Sequence, residues 1–167
     1  MFLPFDSMPG HSRVWIYQAN RTFTGPEKEH LLGGLKSLCD EWAAHGNPLP
    51  SSFNVQFDQF IVLAVDEQPA GISGCSIDGS VRYLKSLQEK LGLDFFDRNQ
   101  VAFMQHNKIV LHTLGELKTL FEAQTLTGNT IAFNNLVNTK AEWENHWRSP
   151  VKESWLAGYL PKSAVLG

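Results

Sequence analysis

The chain has 167 residues, 43% of them hydrophobic, and a formal net charge of −3, the profile of one globular domain that buries about two-thirds of its unfolded surface. Its 14 basic residues are scattered among 17 acidic ones, so no basic stripe marks a nucleic-acid partner. No apolar run reaches the roughly 20 residues of a membrane span, the opening MFLPFDSMPGHSRVW lacks a secretory pattern, and two cysteines supply neither a disulfide framework nor a zinc set; a cytoplasmic chain with no membrane insertion, metal or cofactor is expected.

Residues 1–12, punctuated by Pro and Gly, read as a loose lead-in. Arg13 to Ala19 is β-branched and aromatic and predicts a first strand. Thr24 with Glu27 spells a capping box, and Pro26 falls in the first helical turn. Leu31, Leu32, Leu35, Leu38, Cys39 and Trp42 then share one face of a helix, which Gly46 after His45 would stop. Phe53, Val55 and Phe57 alternate and Phe60 to Val65 is continuously apolar; Asp58-Gln59 between them makes either a tight hairpin or a bend in one long strand. The absence of Gly or Asn there counts against a two-residue primed turn. Continuous apolarity implies burial on both faces, hence a central strand.

Gln68 to Gly79 reads as a loop with turns at Pro69, Gly71, Gly74 and Gly79. A second helix from about Ser80 turns Val81, Leu84, Leu87 and Leu91 inward and ends at Gly92. A hairpin around His106-Asn107 follows, then a capping box of Thr113 with Glu116 opening a helix with Leu117, Leu120 and Phe121, and a late strand at Thr130–Phe133. Thr139 with Glu142, then Ser149-Pro150, predict a helical C-terminal end presenting Trp143, Trp147, Trp155 and Tyr159, which either covers the sheet or forms a dimer surface.

The order predicts a single α+β domain over residues 1–167, with a mainly antiparallel sheet and helices on one face. Its first six elements suit a ferredoxin-like βαββαβ core with a C-terminal helical and strand extension.

Ile61 to Val65 followed by Asp66-Glu67 imitates a Walker B strand, in which the Asp holds Mg²⁺ and the Glu orients water. The phosphate-cradling G-x-x-x-x-G-K-[ST] loop is missing, and no Gly-Lys dipeptide occurs at all. The segments WIYQANRTFT, WAAHGNPLPSSFNVQFDQFIVLAVDE, SGCSIDGSV, DFFDR, FNNLVNTK and PVKESW together resemble an uncharacterised family of small bacterial proteins whose members are frequently labelled "ABC transporter ATPase". The resemblance spans most of the chain and carries over no activity and no catalytic residue; the label looks like a transfer resting on the Walker B-like strand.

Two function classes remain. One is a small-molecule- or protein-binding domain, expected as a homodimer. The other is a cysteine-dependent enzyme or thiol sensor. Cys75 stands just before the second helix, where the dipole favours a thiolate. In a ferredoxin-like topology His45 would approach it as base, with Asp66, Glu67 and Asp78 as orienting carboxylates. Against this, a free cysteine is more often buried packing, with Asp78 or Ser80 simply capping the helix. Arg21 beside a helix start is a candidate for binding an anion, and Glu67 at the strand end is a second candidate ligand-binding residue; an ordinary salt bridge to Asp58 or Asp97 is the commoner fate of such an arginine. Cys39, on the apolar helix face, reads as core.

Overall fold

The computed structural model describes residues 1–44, 46–70 and 78–162. They fall into two compact units, one of Met1–Phe96 with Asn135–Glu144, the other of Asp97–Asn134 with Asn145–Gly167. The architecture is α+β, and every pairing between the named strands is antiparallel.

The first unit contains β1 (Arg13–Gln18), α1 (Gly25–Glu41), β2 (Ala43–Ala44), β3 (Asn47–Pro48), β4 (Ser51–Gln56), β5 (Phe60–Val65) and α2 (Asp78–Leu91). Its main sheet has the order β1-β5-β4. All six residues of β5 are buried, as a continuously apolar central strand requires. On one face, Ile61, Leu63 and Val65 form a core with Leu31 and Leu35 of α1 and Leu84 and Leu87 of α2. Each such fully buried leucine contributes about 1.5–3 kcal/mol. On the other face Phe60, Val62 and Ala64 have no exposed surface.

The capping box forms as the residue pattern demands: Thr24 Oγ1 accepts from Glu27 N–H, and Glu27 Oε1 accepts from Thr24 N–H at 2.8 Å. The helix ends earlier than Gly46. Trp42 leaves it with an extended ψ of 124° and stacks on Trp15 of β1, ring centroids 6.1 Å apart. Gly46, at φ 80°, instead belongs to the turn between β2 and β3. Leu32, placed on the apolar face by spacing, is 37% exposed. Gly92 ends α2 as expected, with φ 68° and its N–H on Gln88 O.

Asp58-Gln59 proves to lie within a hairpin. Phe57, Asp58 and Gln59 link β4 to β5 with Gln56 opposite Phe60, and both Phe57 (φ 53°) and Asp58 (φ 50°) are left-handed. The strain of two non-glycine residues there is offset by fastening the loop from outside. Phe23 N–H donates to Asp58 O, Ala19 N–H to Gln59 O, and Gln59 Nε2 to Ala19 O.

β1, β4 and β5 reproduce the order and directions of the first three strands of a βαββαβ sandwich. The fourth is not added: β6 (Gln100–Gln105) lies in another sheet. Its outward groups are taken by its hairpin partner β7 (Lys108–Thr113) and by β8 (Ile131–Phe133).

Residues 1–12 are tied down rather than loose. Met8 and Ser12 are buried, and Leu3 N–H donates to Ser51 O. Lys140, the first residue of α4 (Lys140–His146), is itself buried. Its Nζ donates to Met8 O at 2.9 Å and Asp6 O at 3.3 Å. Trp143 meets Phe5 edge-on.

In the second unit the sheet runs β7-β6-β8-β9, with β9 at Arg148–Pro150. The β6–β7 turn is His106-Asn107, both at positive φ, the primed geometry that matches strand twist. Phe103, Leu117, Phe121, Ala132 and Leu156 form its core, with α3 spanning Leu117–Glu122. Past β9 the chain makes 3₁₀ turns at Val151–Glu153 and Trp155–Tyr159 rather than a long helix. Trp147 is buried against Phe133, while Trp155 is 53% exposed and meets Tyr159 edge-on.

Candidate functional site

Cys75 and His45 both lie outside the described residues, so the Cys75–His45 pairing is not part of the geometry below. Asp78 is exposed at the start of α2. Arg21 is committed locally: its Nη1 and Nη2 each donate to Glu27 at 2.8 Å, and Nη2 also donates to Leu91 O. Its partner is thus Glu27, not Asp58 or Asp97, and that bidentate fork holds the Glu27 carboxyl down to about 2, helped by the Thr24 N–H. Asp58 pairs with Lys28 instead.

The end of β5 is where ionisable groups converge. Asp66 N–H donates to Pro50 O, continuing the sheet by one bond. The chain then turns into a 3₁₀ segment, Gln68–Ala70, and Asp66 Oδ1 accepts the Gln68 N–H at 3.1 Å. This is the local side-chain-to-backbone bond that aspartate makes where a strand stops. The same Oδ1 accepts from His11 Nε2 at 3.1 Å, across 55 residues of sequence. Asp66 is buried, whereas His11 is largely open to solvent.

His11 is held there by the anchoring of the lead-in. Ser12 N–H donates to Pro9 O, and the backbone N–H groups of Lys140 and Ala141 donate to Ser12 O and Gly10 O. One residue on, β1 begins. Arg13 Nη1 stands 3.7 Å from Glu67 Oε1, an ion pair too long for a hydrogen bond. The Arg13 guanidinium also lies 5.0 Å from the Trp15 ring centroid, which extends a stack from the cation through Trp15 to Trp42. His11, Arg13, Glu67 and Gln68 line a shallow open cleft of about 200 Å³. At about 30 Å³ of liquid per water, that holds on the order of six or seven waters, or a ligand of few heavy atoms.

Chemically, the cleft offers a planar guanidinium, an imidazole oriented by a buried carboxylate, a second carboxylate and an amide. Its wall can donate to anionic groups and accept from cationic ones, and the His11–Asp66 pair is the arrangement that orients a general base. Among the described residues no group of three or more His, Cys, Asp or Glu side chains is placed to hold a metal ion. Nor is any described helix long and apolar enough to cross a membrane. Of the residues singled out from sequence, Glu67 and Asp66 are in this cluster. His11 and Arg13 were not legible as site residues; the one hint was an acidic strand end in need of cationic partners. The other cysteine, Cys39, is fully buried, and burial pushes its thiol up to about 11. No family model matches the chain, and neither a curated protein nor a solved structure matches it.

Proposed function

We propose that this chain is a non-enzymatic binding domain whose cleft receives a small polar molecule. The observation carrying this reading is the convergence of His11 and Arg13 with the carboxylates of Asp66 and Glu67 at the end of β5, three of the four lining one cleft. Against nucleotide hydrolysis stands the surrounding geometry. β5 is antiparallel to both neighbours, whereas a P-loop site is built from a strand–loop–helix unit in a parallel sheet. Asp66, the residue that would hold Mg²⁺, is engaged by His11 and the Gln68 N–H. A cytoplasmic setting accords with a buried free thiol at Cys39.

The test is an NMR titration of labelled protein with amino acids, short dicarboxylates and nucleotides with Mg²⁺. The reading expects amide shifts at residues 11–13 and 66–68 with at least one of the first two groups, lost in Arg13→Ala. It fails if no probe moves those residues, or if only nucleotides do.

A second reading is thiol chemistry at Cys75, for which the motivating observation is an imidazole, His11, oriented by Asp66, a carboxylate nine positions before that cysteine in sequence. Iodoacetamide alkylation of Cys75 would then show a thiol titrating well below the ordinary value near 8.5. It would also slow in His11→Ala or, for the pairing expected from sequence, in His45→Ala. An ordinary pH–rate profile in all three proteins would exclude it.

A further inference from the structure

Arg13 opens β1 opposite Val65 of β5, and its guanidinium is only loosely engaged. It lies 5.0 Å from the Trp15 ring centroid and 3.7 Å from Glu67 Oε1, and no described residue accepts a hydrogen bond from it. A guanidinium carries five N–H donors in a planar fork that fits a carboxylate. Arg21 closes such a fork within the chain, with two bonds of 2.8 Å to Glu27. At Arg13 the fork stands near a carboxylate without closing on it, and nearly half of the side chain is open to solvent.

The charges around this opening nearly cancel. Arg13 brings one positive charge, Glu67 and the buried Asp66 one negative charge each, and His11 a second positive charge only when protonated. A wall that is neutral or singly negative repels a dianion or a nucleotide and suits a molecule bearing one charge of each sign. The cleft volume of about 200 Å³ keeps that molecule to few heavy atoms. Distance narrows the choice further. Arg13 Nη1 and Glu67 Oε1 are 3.7 Å apart. In an α-amino acid the ammonium nitrogen and the carboxylate carbon are about 2.5 Å apart, being separated by two bonds of about 1.5 Å. Laid antiparallel on the Arg13–Glu67 pair, such a zwitterion sets its carboxylate on the fork and its ammonium on Glu67 together. A molecule whose two charges are several carbons apart has to fold back to do the same.

We propose that the cleft binds a small free α-amino acid, its carboxylate held by Arg13 and its ammonium by Glu67. His11, oriented by Asp66, and Gln68 complete the wall and leave room for a short side chain only. This rests on the cleft being the binding site and adds the chemistry that it selects.

The experiment removes each charge of the bound molecule separately. The labelled full chain is titrated at constant ionic strength with L-alanine, propionate, ethylammonium, 4-aminobutyrate and succinate, and amide shifts are followed by NMR. Alanine is expected to move residues 11–13 and 66–68. Propionate, ethylammonium and 4-aminobutyrate should bind at least about tenfold more weakly, since each makes only one of the two charge-assisted contacts at a time. Glu67→Gln should abolish the preference for alanine over propionate. Arg13→Lys, which keeps the charge and loses the fork, should weaken alanine about tenfold. Propionate bound as tightly as alanine by the wild type overturns the proposal, and so does a Glu67→Gln variant that still prefers alanine. The wild-type series decides the matter even if a variant fails to fold. If succinate moves those amides and alanine does not, the zwitterion falls and the cleft stands as a binding site; silence towards every probe overturns both.

Discussion

Gly34, in the middle of α1, tests how closely the two helices of the first unit approach. A methyl group built there falls inside the phenol of Tyr83 on α2, overlapping its hydroxyl and with Cε2 2.9 Å away. The Tyr83 hydroxyl is buried with no described partner, and burial raises its pKa. Gly34→Ala therefore sets two effects against each other. Helix propensity favours alanine by about 1 kcal/mol, while overpacking costs about 1–3 kcal/mol. Because ring carbons as well as the hydroxyl are overlapped, the whole ring must swing, which puts the cost toward the upper end. The net expectation is a loss of about 1–2 kcal/mol. With the ring removed in Tyr83→Ala, the same substitution should gain about 1 kcal/mol. The coupling between the positions is then about 2–3 kcal/mol. Gly33→Ala is the internal control: nothing lies within 4 Å of its added methyl, so it should stabilise by up to about 1 kcal/mol. Urea unfolding followed by far-UV circular dichroism measures the wild type, the three single variants and the double variant. A Gly34→Ala variant at least as stable as wild type, or one whose effect is the same with and without Tyr83, would refute the helix contact as described.

Two further outcomes follow from charge and burial. Glu27 is held down to about 2 by Arg21 and Thr24, so its contribution to stability is fully present above the unfolded value near 4.5 and is lost as pH falls towards 2; acid unfolding of Glu27→Gln should be shallower through that window, and an unchanged slope would contradict the bidentate pair. In a Cys75→Ser background, Cys39 should resist an aromatic disulfide reagent at pH 8 until denaturant is added, because its sulfur is buried and its thiol pushed up to about 11; prompt reaction of the folded protein would show that α1 opens far more readily than its packing implies.

Part of this architecture is decided by neighbouring residues among themselves. Thr24 and Glu27 cap α1 because their side chains reach each other's backbone over a single turn. Gly92 ends α2 because glycine accepts positive φ without strain. His106-Asn107 turns the second hairpin, and the unbroken apolar run Phe60–Val65 is the centre of its sheet, since a strand with no polar face has to be covered on both sides. The tertiary structure decided the rest, because the deciding partner is far away in the chain. α1 stops at Glu41 because Trp42 stacks on a ring 27 positions earlier, not because of the glycine beyond it. The turn at Phe57-Asp58 is tolerated because residues from 19 to 23 fasten it. β6 leaves the first sheet because its backbone groups are met by β7 and β8. The cleft brings His11 and Arg13 to Asp66 and Glu67 although no spacing relates them. Lys140 and its neighbours hold the N-terminal segment in place from the far side of the sequence. Short-range chemistry is written in adjacent letters; a site assembled across 55 residues exists only once the chain has closed on itself.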